Sequence, residues 1–380
     1  MPAKPATYQL AIIGGGLAGL SLSILAARAG CSVVLFEKEQ YPLHRVCGEY
    51  ISMESWPFLL QLGVPLNNWP LPRINQLAIS SPGGRLYTFK LDMGGFGISR
   101  YCLDAYLYQL AKQAGVQVHT RTRVTQVEQG PNGLSIHAAG GQSWQALLCA
   151  GSYGKRSNLD VQWRRPFTQQ KPGPRQQYIG VKYHIQLAHP PEQIVLHNFK
   201  HGYCGMSAVE DGTSCLCYLT TAQNLQQQGS IAAMEQAILW QNPHLKQIFT
   251  QAHFLYAQPL TIGQVSFAPK SLFENEVWML GDAAGLIAPL CGNGMSMALH
   301  SASLAFKAMI PYLQGSMPLA AAKQTYTRAW QSQFARRLWV GRTLQGFFGH
   351  TALTAAFLRS MAGLPPLAKA LIQSTHGRVY

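Results

Sequence analysis

The chain reads as an α/β protein, α+β overall, on three observations. Its first forty residues run strand, glycine-rich turn, helix, strand. Its middle holds several short strands bounded by turn residues, two of them joined as a hairpin. Its last seventy or so residues are helical in pattern. With 380 residues, 47 % of them apolar, the chain has enough material for two or three domains with a sizeable core, which excludes global disorder. Charged residues are scarce at 12 %, and the shortage is of acids: 30 Lys and Arg face 15 Asp and Glu, a formal charge of +15. No recognisable nucleic-acid module accompanies that charge, so nucleic-acid binding is not expected.

Tyr8 to Ile13 has the texture of a short buried parallel strand. Gly14-Gly15-Gly16-Leu17-Ala18-Gly19 follows at once. A helical stretch runs to Ala29 and stops at Gly30. Ser32 to Phe36 is a second apolar strand, ending at Glu37 and Lys38. Each part of this Rossmann-like unit has a job. Gly14 permits the tight turn, Gly16 lets backbone approach a pyrophosphate, and Gly19 lets helix pack on strand. The helix N-terminus at Leu17 and Ala18 offers free N–H groups to phosphate. Glu37 can accept hydrogen bonds from a ribose diol, which favours FAD or NAD over NADP. The uncharged run between Lys4 and Arg28 imitates a signal peptide or membrane span. The patterned glycines argue against both.

Three later segments extend this reading. Tyr41 to Ile51 (YPLHRVCGEYI) gathers Arg45, Val46, Cys47, Gly48 and Glu49 in an irregular loop. Ile98 to Leu107 places Arg100 at a helix start, with Leu103 and Leu107 on the core face. In Val277 to Met297 (VWMLGDAAGLIAPLCGNGMSM) an apolar strand ends at Gly281-Asp282. A turn from Pro289 to Gly294 and a small-residue helix follow. On these segments the chain resembles the flavoprotein superfamily of the group A aromatic hydroxylases and the geranylgeranyl reductases, over most of residues 8–310. The resemblance implies a Rossmann-like FAD-binding domain of the glutathione-reductase type, with a β-sheet substrate domain and C-terminal helices. It implies that Asp282, after Gly281, binds the ribityl or pyrophosphate region of FAD, and that Pro289 and the backbone of Gly292, Asn293, Gly294 and Met295 cradle the flavin ring. Arg100 would reach the pyrophosphate, Val124 would meet the adenine through its backbone, and Arg45 would lie along the flavin. From the residues alone, Asp282 also fits a helix N-cap for a segment starting at Ala283.

The chain departs from the hydroxylase pattern at Tyr153, which stands where an Asp is usual and puts the common mode of NAD(P)H recognition in doubt. Lys155 and Arg156 then either bind a phosphate of NADPH or NADH, the expected electron donor, or are surface charges. Val46-Cys47-Gly48-Glu49 resembles the cysteine-glycine loop of the reductase branch. Cys47 is a candidate active-site thiol whose thiolate His44 and Arg45 would favour, or else a buried loop cysteine. Glu49 is an acid/base candidate or the partner of an arginine.

Tyr178–Leu187, Ile194–Phe199, Tyr203–Val209 and Ser214–Thr220 read as strands, the last two joined through Glu210-Asp211-Gly212. They suggest a mostly antiparallel sheet over the flavin. His197, Tyr203, Cys204, Met206, Cys215, Cys217 and Tyr218 are candidate cavity lining. Alternation lets about half of them face the cavity. Their apolar and sulfur character implies a hydrophobic small-molecule substrate. Of the reductase motif Y-x-W-x-F only Tyr203 survives, which makes it a catalytic candidate beside Cys47 and Glu49. The halogenase motif W-x-W-x-I-P is absent, which disfavours halogenation. The eight cysteines read as reduced, without zinc-site spacing, so no metal is expected. They suggest a cytoplasmic protein.

After Asp282 there is no acid, yet nine Lys and Arg remain. Arg336, Arg337 and Arg342 stand beside Leu338, Trp339, Leu344, Phe347 and Phe348. This stretch would form a lid over the cavity or associate with a membrane surface. Residues 1–70, 100–160 and 255–310 are assigned to the FAD-binding domain, 71–99 and 161–254 to the substrate domain, and 311–380 to the helical region. The expected activity is an FAD-dependent monooxygenase acting on an aromatic or lipid-like compound. Its alternatives are a reductase of isoprenoid double bonds and a non-catalytic lipid-binding protein of related fold.

Overall fold

A computed structural model describes residues 7–131, 133–169, 177–347 and 351–380. The first half contains β1 (Thr7–Ile13), α1 (Leu17–Arg28), β2 (Val33–Phe36), β3 (Tyr50–Ser52), α2 (Trp56–Gln61), β4 (Arg73–Ser80), β5 (Leu86–Gly97), α3 (Arg100–Gln113), β6 (Gln117–His119), β7 (Val124–Gly130), β8 (Gly133–Ala138), β9 (Ser143–Gly151), α4 (Asn158–Gln162) and α5 (Pro166–Gln169). The second half contains β10 (Tyr178–Gln186), β11 (Gln193–Phe199), β12 (Gly202–Ala208), β13 (Ser214–Thr221), α6 (Ala222–Gln228), α7 (Ile231–Ala237), α8 (Pro243–Gln251), β14 (His253–Phe254), β15 (Leu260–Val265), β16 (Phe273–Glu274), β17 (Val277–Met279), α9 (Gly294–Leu313), α10 (Leu319–Phe347), α11 (Thr351–Gly363) and α12 (Pro365–Thr375).

The first sheet runs β16-β17-β9-β1-β2-β6. Its β17, β9, β1, β2 and β6 are parallel neighbours, with Leu10 opposite Val33 and Ile12 opposite Ala150. Leu10 to Ile13 are buried because α1, α3 and α9 cover the sheet, as an unbroken apolar run requires. The N-terminal apolar run is therefore a core strand, turn and helix. Ser99 caps α3 by accepting the N–H of Cys102, and Leu103 and Leu107 are fully buried.

The second sheet runs β14-β10-β13-β12-β11-β4-β5-β3, with β15 on β10. Its pairs are antiparallel except β4 with β11. Glu210-Asp211-Gly212 joins β12 to β13 as expected, and Asp211 takes φ 61° there. Alternation splits the strands between two cores. Cys204, Met206, Leu216 and Tyr218 pack against α7 and α8, while Tyr203 and Leu219 join the core of the first sheet. Two short strands cross the boundaries drawn from sequence. β3 and β15 both pair into the second sheet, although residues 1–70 and 255–310 were assigned to the nucleotide-binding part. Backbone pairing at a sheet edge leaves little trace in side-chain pattern.

The C-terminal region is helical. α10 lays Tyr326, Trp330, Phe334 and Leu338 on the core. Arg337 turns inward to Glu54, 3.4 Å away, so it leaves the exposed basic face expected for it. Phe348 lies outside the described residues. No helix among the described residues is long and apolar enough to cross a membrane.

Candidate cofactor and active site

The glycine turn is shaped by a distant strand. Gly14 has φ +102°, and a Cβ there would sit 2.6 Å from the Ser152 carbonyl oxygen at the end of β9. A Cβ at Gly19 would lie 2.1 Å from the Gly14 carbonyl oxygen and 2.4 Å from Ser152 Oγ. That hydroxyl donates to the Gly14 carbonyl at 2.7 Å. Gly16 is different: a Cβ would meet only the Arg100 guanidinium, at 3.6 Å. Gly16 is also the N-cap of α1 and has no side chain to cover the first N–H groups. The helix thus presents open donors and its positive end to the space beside Arg100.

Glu37 is buried and already engaged. It accepts the Gly15 N–H at 2.8 Å, the Glu39 N–H at 3.0 Å and Arg45 Nη2 at 3.0 Å. A carboxylate has about four acceptor sites, so capacity for a ribose hydroxyl remains. Arg45 does not lie free along the cavity: its Nε reaches Asp104 at 3.2 Å. Arg100 is held by the same carboxylate at 2.7 and 2.6 Å, one helical turn on. Burial opposes the charge on Arg100, but Asp104 outweighs it and raises the pKa. Asp104 thereby orients both arginines, and the sequence reading missed it.

Glu49 sits at φ 55° in the loop before β3 and is 1 % exposed. Its carboxylate accepts from Lys182 Nζ and His184 Nε2, each at 2.5 Å, and from the Arg100 N–H at 2.8 Å. Its partners are thus a lysine and a histidine, where an arginine was expected. Burial works to raise its pKa, but the His184 hydrogen bond and the Lys182 charge outweigh burial and lower it. His184 passes the network to Tyr256 at 2.9 Å, and Tyr256 to His44 at 2.8 Å. Glu49, His184 and Cys215 bring three ligand-type atoms within 4.8 Å of one another. The Lys182 ammonium already occupies that carboxylate.

Cys47 is not primed as a thiolate. Burial raises its pKa and the Glu49 charge adds to this, against a lowering by Arg100. Burial and the neighbouring His184 lower the pKa of His44, while Arg45 is committed to Glu37 and Asp104, so neither supplies the cation expected of it. Cys215 donates from Sγ to the Cys47 carbonyl at 3.1 Å, and Ser207 donates to that of Gly48 at 2.9 Å. These two contacts pin the loop to the second sheet.

The segment after β17 forms a short turn at Gly281–Ala283, and the long helix begins only at Gly294. Asp282 therefore caps no long helix at Ala283. Burial raises its pKa against the charges of Lys155 and Lys270. Lys270 donates to the carbonyls of Asp282 and Lys155 at 2.7 and 2.8 Å. Beneath the turn, Arg165 donates to Asp160 at 2.8 Å and to the Ala283 carbonyl at 3.1 Å. Tyr153 donates to Asp160 at 2.8 Å, so the tyrosine at the departed position braces a buried ion pair.

These elements enclose one cavity of about 890 Å³, within the roughly 300–1,000 Å³ typical of ligand sites. Its wall contains every cofactor and catalytic candidate read from the sequence except Gly19, Asn293 and Tyr203. Gly19 lies behind the turn, packed on the strand end. Asn293 is fully buried with its amide on the Thr375 carbonyl at 2.6 Å, because the cavity side of that turn is backbone. Tyr203 bridges the Leu290 N–H at 3.0 Å and Gln345, so it positions the turn and does not reach the cavity. Cys217 borders the cavity, and Met206 touches it as well although it also belongs to the core under α7 and α8. His197, Cys204 and Tyr218 face the helical side, where His197 stacks on His244.

The wall fits FAD. At one end the uncapped helix, Gly16 and Arg100 suit a pyrophosphate, with Glu37 beyond for a ribose. In the middle the Gly292–Met295 turn presents backbone without bulk. Leu77, Ile194, Leu196 and Cys217 add an apolar stretch of wall.

A family model described as FAD binding domain matches residues 7–329. Conditioned medium factor receptor 1 of Dictyostelium discoideum is 23 % identical over 378 residues, covering 90 % of this chain and 70 % of that protein. Among solved structures, the flavin-dependent brominase Bmp2 superposes with a TM-score of 0.78 at 18 % identity, covering 97 % of this chain and 93 % of its own. A geranylgeranyl bacteriochlorophyll reductase-like protein of Thermoplasma acidophilum gives a TM-score of 0.76 at 16 % identity, with 97 % and 96 % covered. At such identities these structures establish the fold alone.

Proposed function

We propose, from the premise that this chain belongs to the FAD binding domain family, that it is a monooxygenase of a hydrophobic aromatic or lipid-like compound, with NADPH or NADH as electron donor. It is an FAD-dependent oxidoreductase of the monooxygenase, halogenase and reductase type; the choice among these is the proposal. Bound FAD supplies the redox chemistry, taking up two electrons and passing them on.

The observation that carries the reading is the character of this apolar stretch of the cavity wall. Leu77, Ile194, Val195, Leu196, Gly205 and Cys217 make a wall without a carboxylate. The nearby Glu49 is held ionised between Lys182 and His184, so it supplies no proton at neutral pH. Such a wall binds an apolar substrate and excludes water from the reacting centre. The helix N-terminus and Arg100 hold the diphosphate, and Asp104 keeps Arg100 aimed. Lys155 and Arg156 line the cavity and suit a phosphate of the nicotinamide donor.

One observation favours a reductase instead. Burial keeps the Cys47 thiol protonated on the same wall, where it could give a proton to carbon. Anaerobic titration of the yellow protein with NADPH and NADH, then readmission of oxygen with hydrophobic aromatic compounds, tests both. Bleaching of the flavin band followed by oxygen incorporation, unaltered by Cys47→Ala, supports the monooxygenase. Loss of a substrate double bond that Cys47→Ala abolishes, with no oxygen incorporated, overturns it.

A further inference from the structure

We infer that the α11–α12 hairpin is a wedge that docks this protein on an anionic lipid bilayer. α11 buries Thr354, Leu358 and Met361. Its opposite side carries Leu353, Ala356 and Ser360 at helical spacing, all exposed, and leads into Gly363-Leu364-Pro365-Pro366-Leu367, exposed throughout. Leu353, Leu364 and Leu367 are 53 %, 56 % and 53 % accessible, so more than half of each lies in water. Surface turns are ordinarily built of polar residues, and this one has none. Its two prolines open α12, where no N–H donor is needed, and so stiffen the turn without leaving a buried donor unpaired.

Charge identifies the occupant. Arg359 and Lys369 flank the apolar turn, and Arg378 is exposed beyond it. Lys369 pairs with Asp92 at 3.0 Å, which offsets that one cation. Among the described residues no carboxylate pairs with Arg359, Arg378, Arg336 or Arg342, and from Ala283 onward the chain has nine Lys and Arg and no acid. An exposed apolar turn flanked in sequence by Arg359 and Lys369, in a region without acids, matches the boundary between anionic headgroups and acyl chains. A second copy docked on the same face would set those cations against one another. The inference is independent of which reaction the flavin performs.

The test is co-sedimentation of the FAD-loaded full chain with phosphatidylcholine vesicles, with and without about 30 mol % phosphatidylglycerol. The expected result is recovery with the anionic vesicles only, falling as salt rises from about 0.1 to 0.5 M. Leu364→Ser with Leu367→Ser should lower the partition coefficient by about tenfold or more. Arg359→Ala should lower it about fivefold and flatten the salt dependence. Flavin retention reports that each variant is folded. As a second readout, the emission of Leu367→Trp minus that of the parent protein with its eight tryptophans should shift to the blue with anionic vesicles and stay fixed with neutral ones. Equal recovery with both vesicles, or unchanged partition of the double leucine variant, would overturn the inference. So would a concentration-dependent dimer that the leucine variant abolishes.

Discussion

Lys182→Met isolates the buried charge cluster behind the cavity wall. In the native protein Glu49 faces two cationic-capable groups at 2.5 Å and the Arg100 N–H at 2.8 Å. Removing Lys182 leaves a carboxylate that is 1 % exposed without its ammonium. Stranding one member of a buried pair costs about 3–5 kcal/mol. The hydrogen bonds from His184 and the Arg100 N–H remain on the carboxylate, so the loss should fall near the lower end. The sign with pH follows from Glu49. Its native pKa is held below the ordinary 4.5, so its contribution is present above 4.5 and is lost as pH falls through the lowered value. Without Lys182 that pKa moves up, so the deficit of the variant should be largest near neutrality and shrink towards pH 5. Urea denaturation followed by far-UV circular dichroism, repeated across pH, reads both effects. Lys182→Met with Glu49→Gln should recover most of the loss, because no bare charge is then buried. A deficit below about 1 kcal/mol at pH 7, or a double variant no better than the single, would refute the cluster as the strut of this loop.

Other outcomes follow from the same geometry. Gly19→Ala should give colourless protein, since its Cβ meets backbone at 2.1 Å, whereas Gly16→Ala should change apoprotein stability by no more than about 1 kcal/mol and still weaken FAD binding; flavin-to-protein absorbance ratios and denaturation midpoints separate the two. Cys47 should react with a disulfide reagent only slowly at neutral pH, the rate climbing above its ordinary pKa of 9.0; fast reaction at pH 7 would contradict a thiol held up by burial. Arg165→Met should cost about 3–5 kcal/mol in urea denaturation, because Asp160 is left buried without its cation.

The nucleotide-binding half was legible in the sequence because its signals are consecutive. Strand, glycines, helix and Glu37 occupy thirty residues, and each choice narrows the next. Asp282 and the turn after it were legible for the same reason. What escaped was pairing at long range. Lys182 and His184 reach Glu49 from more than 130 residues away. Their one trace is a Lys and a His at alternate positions within a largely apolar strand, Tyr178–Gln186. Asp104 left a clearer trace, one helical turn after Arg100, and it pairs with both arginines of the cavity wall. At Cys47, adjacency in sequence to His44 and Arg45 is a poor guide to charge, because burial and the Glu49 carboxylate raise its pKa. Tyr203 was expected in the cavity on a motif; its hydroxyl instead faces the back of a turn nearly ninety residues on.

The shape of the glycine turn bears on how the protein is made. The turn looks like the most local feature of the chain, yet the space that excludes a side chain at Gly14 is created by Ser152, and the hydroxyl joining them spans 138 residues. During synthesis the turn leaves the ribosome early and remains without its final form until β9 arrives. The Asp282 turn emerges later still. Capture of FAD is therefore expected only once these distant segments have met, and closing so long a loop costs entropy. A fragment ending before residue 143 should leave FAD in solution, and in refolding the uptake of flavin should coincide with the last kinetic phase.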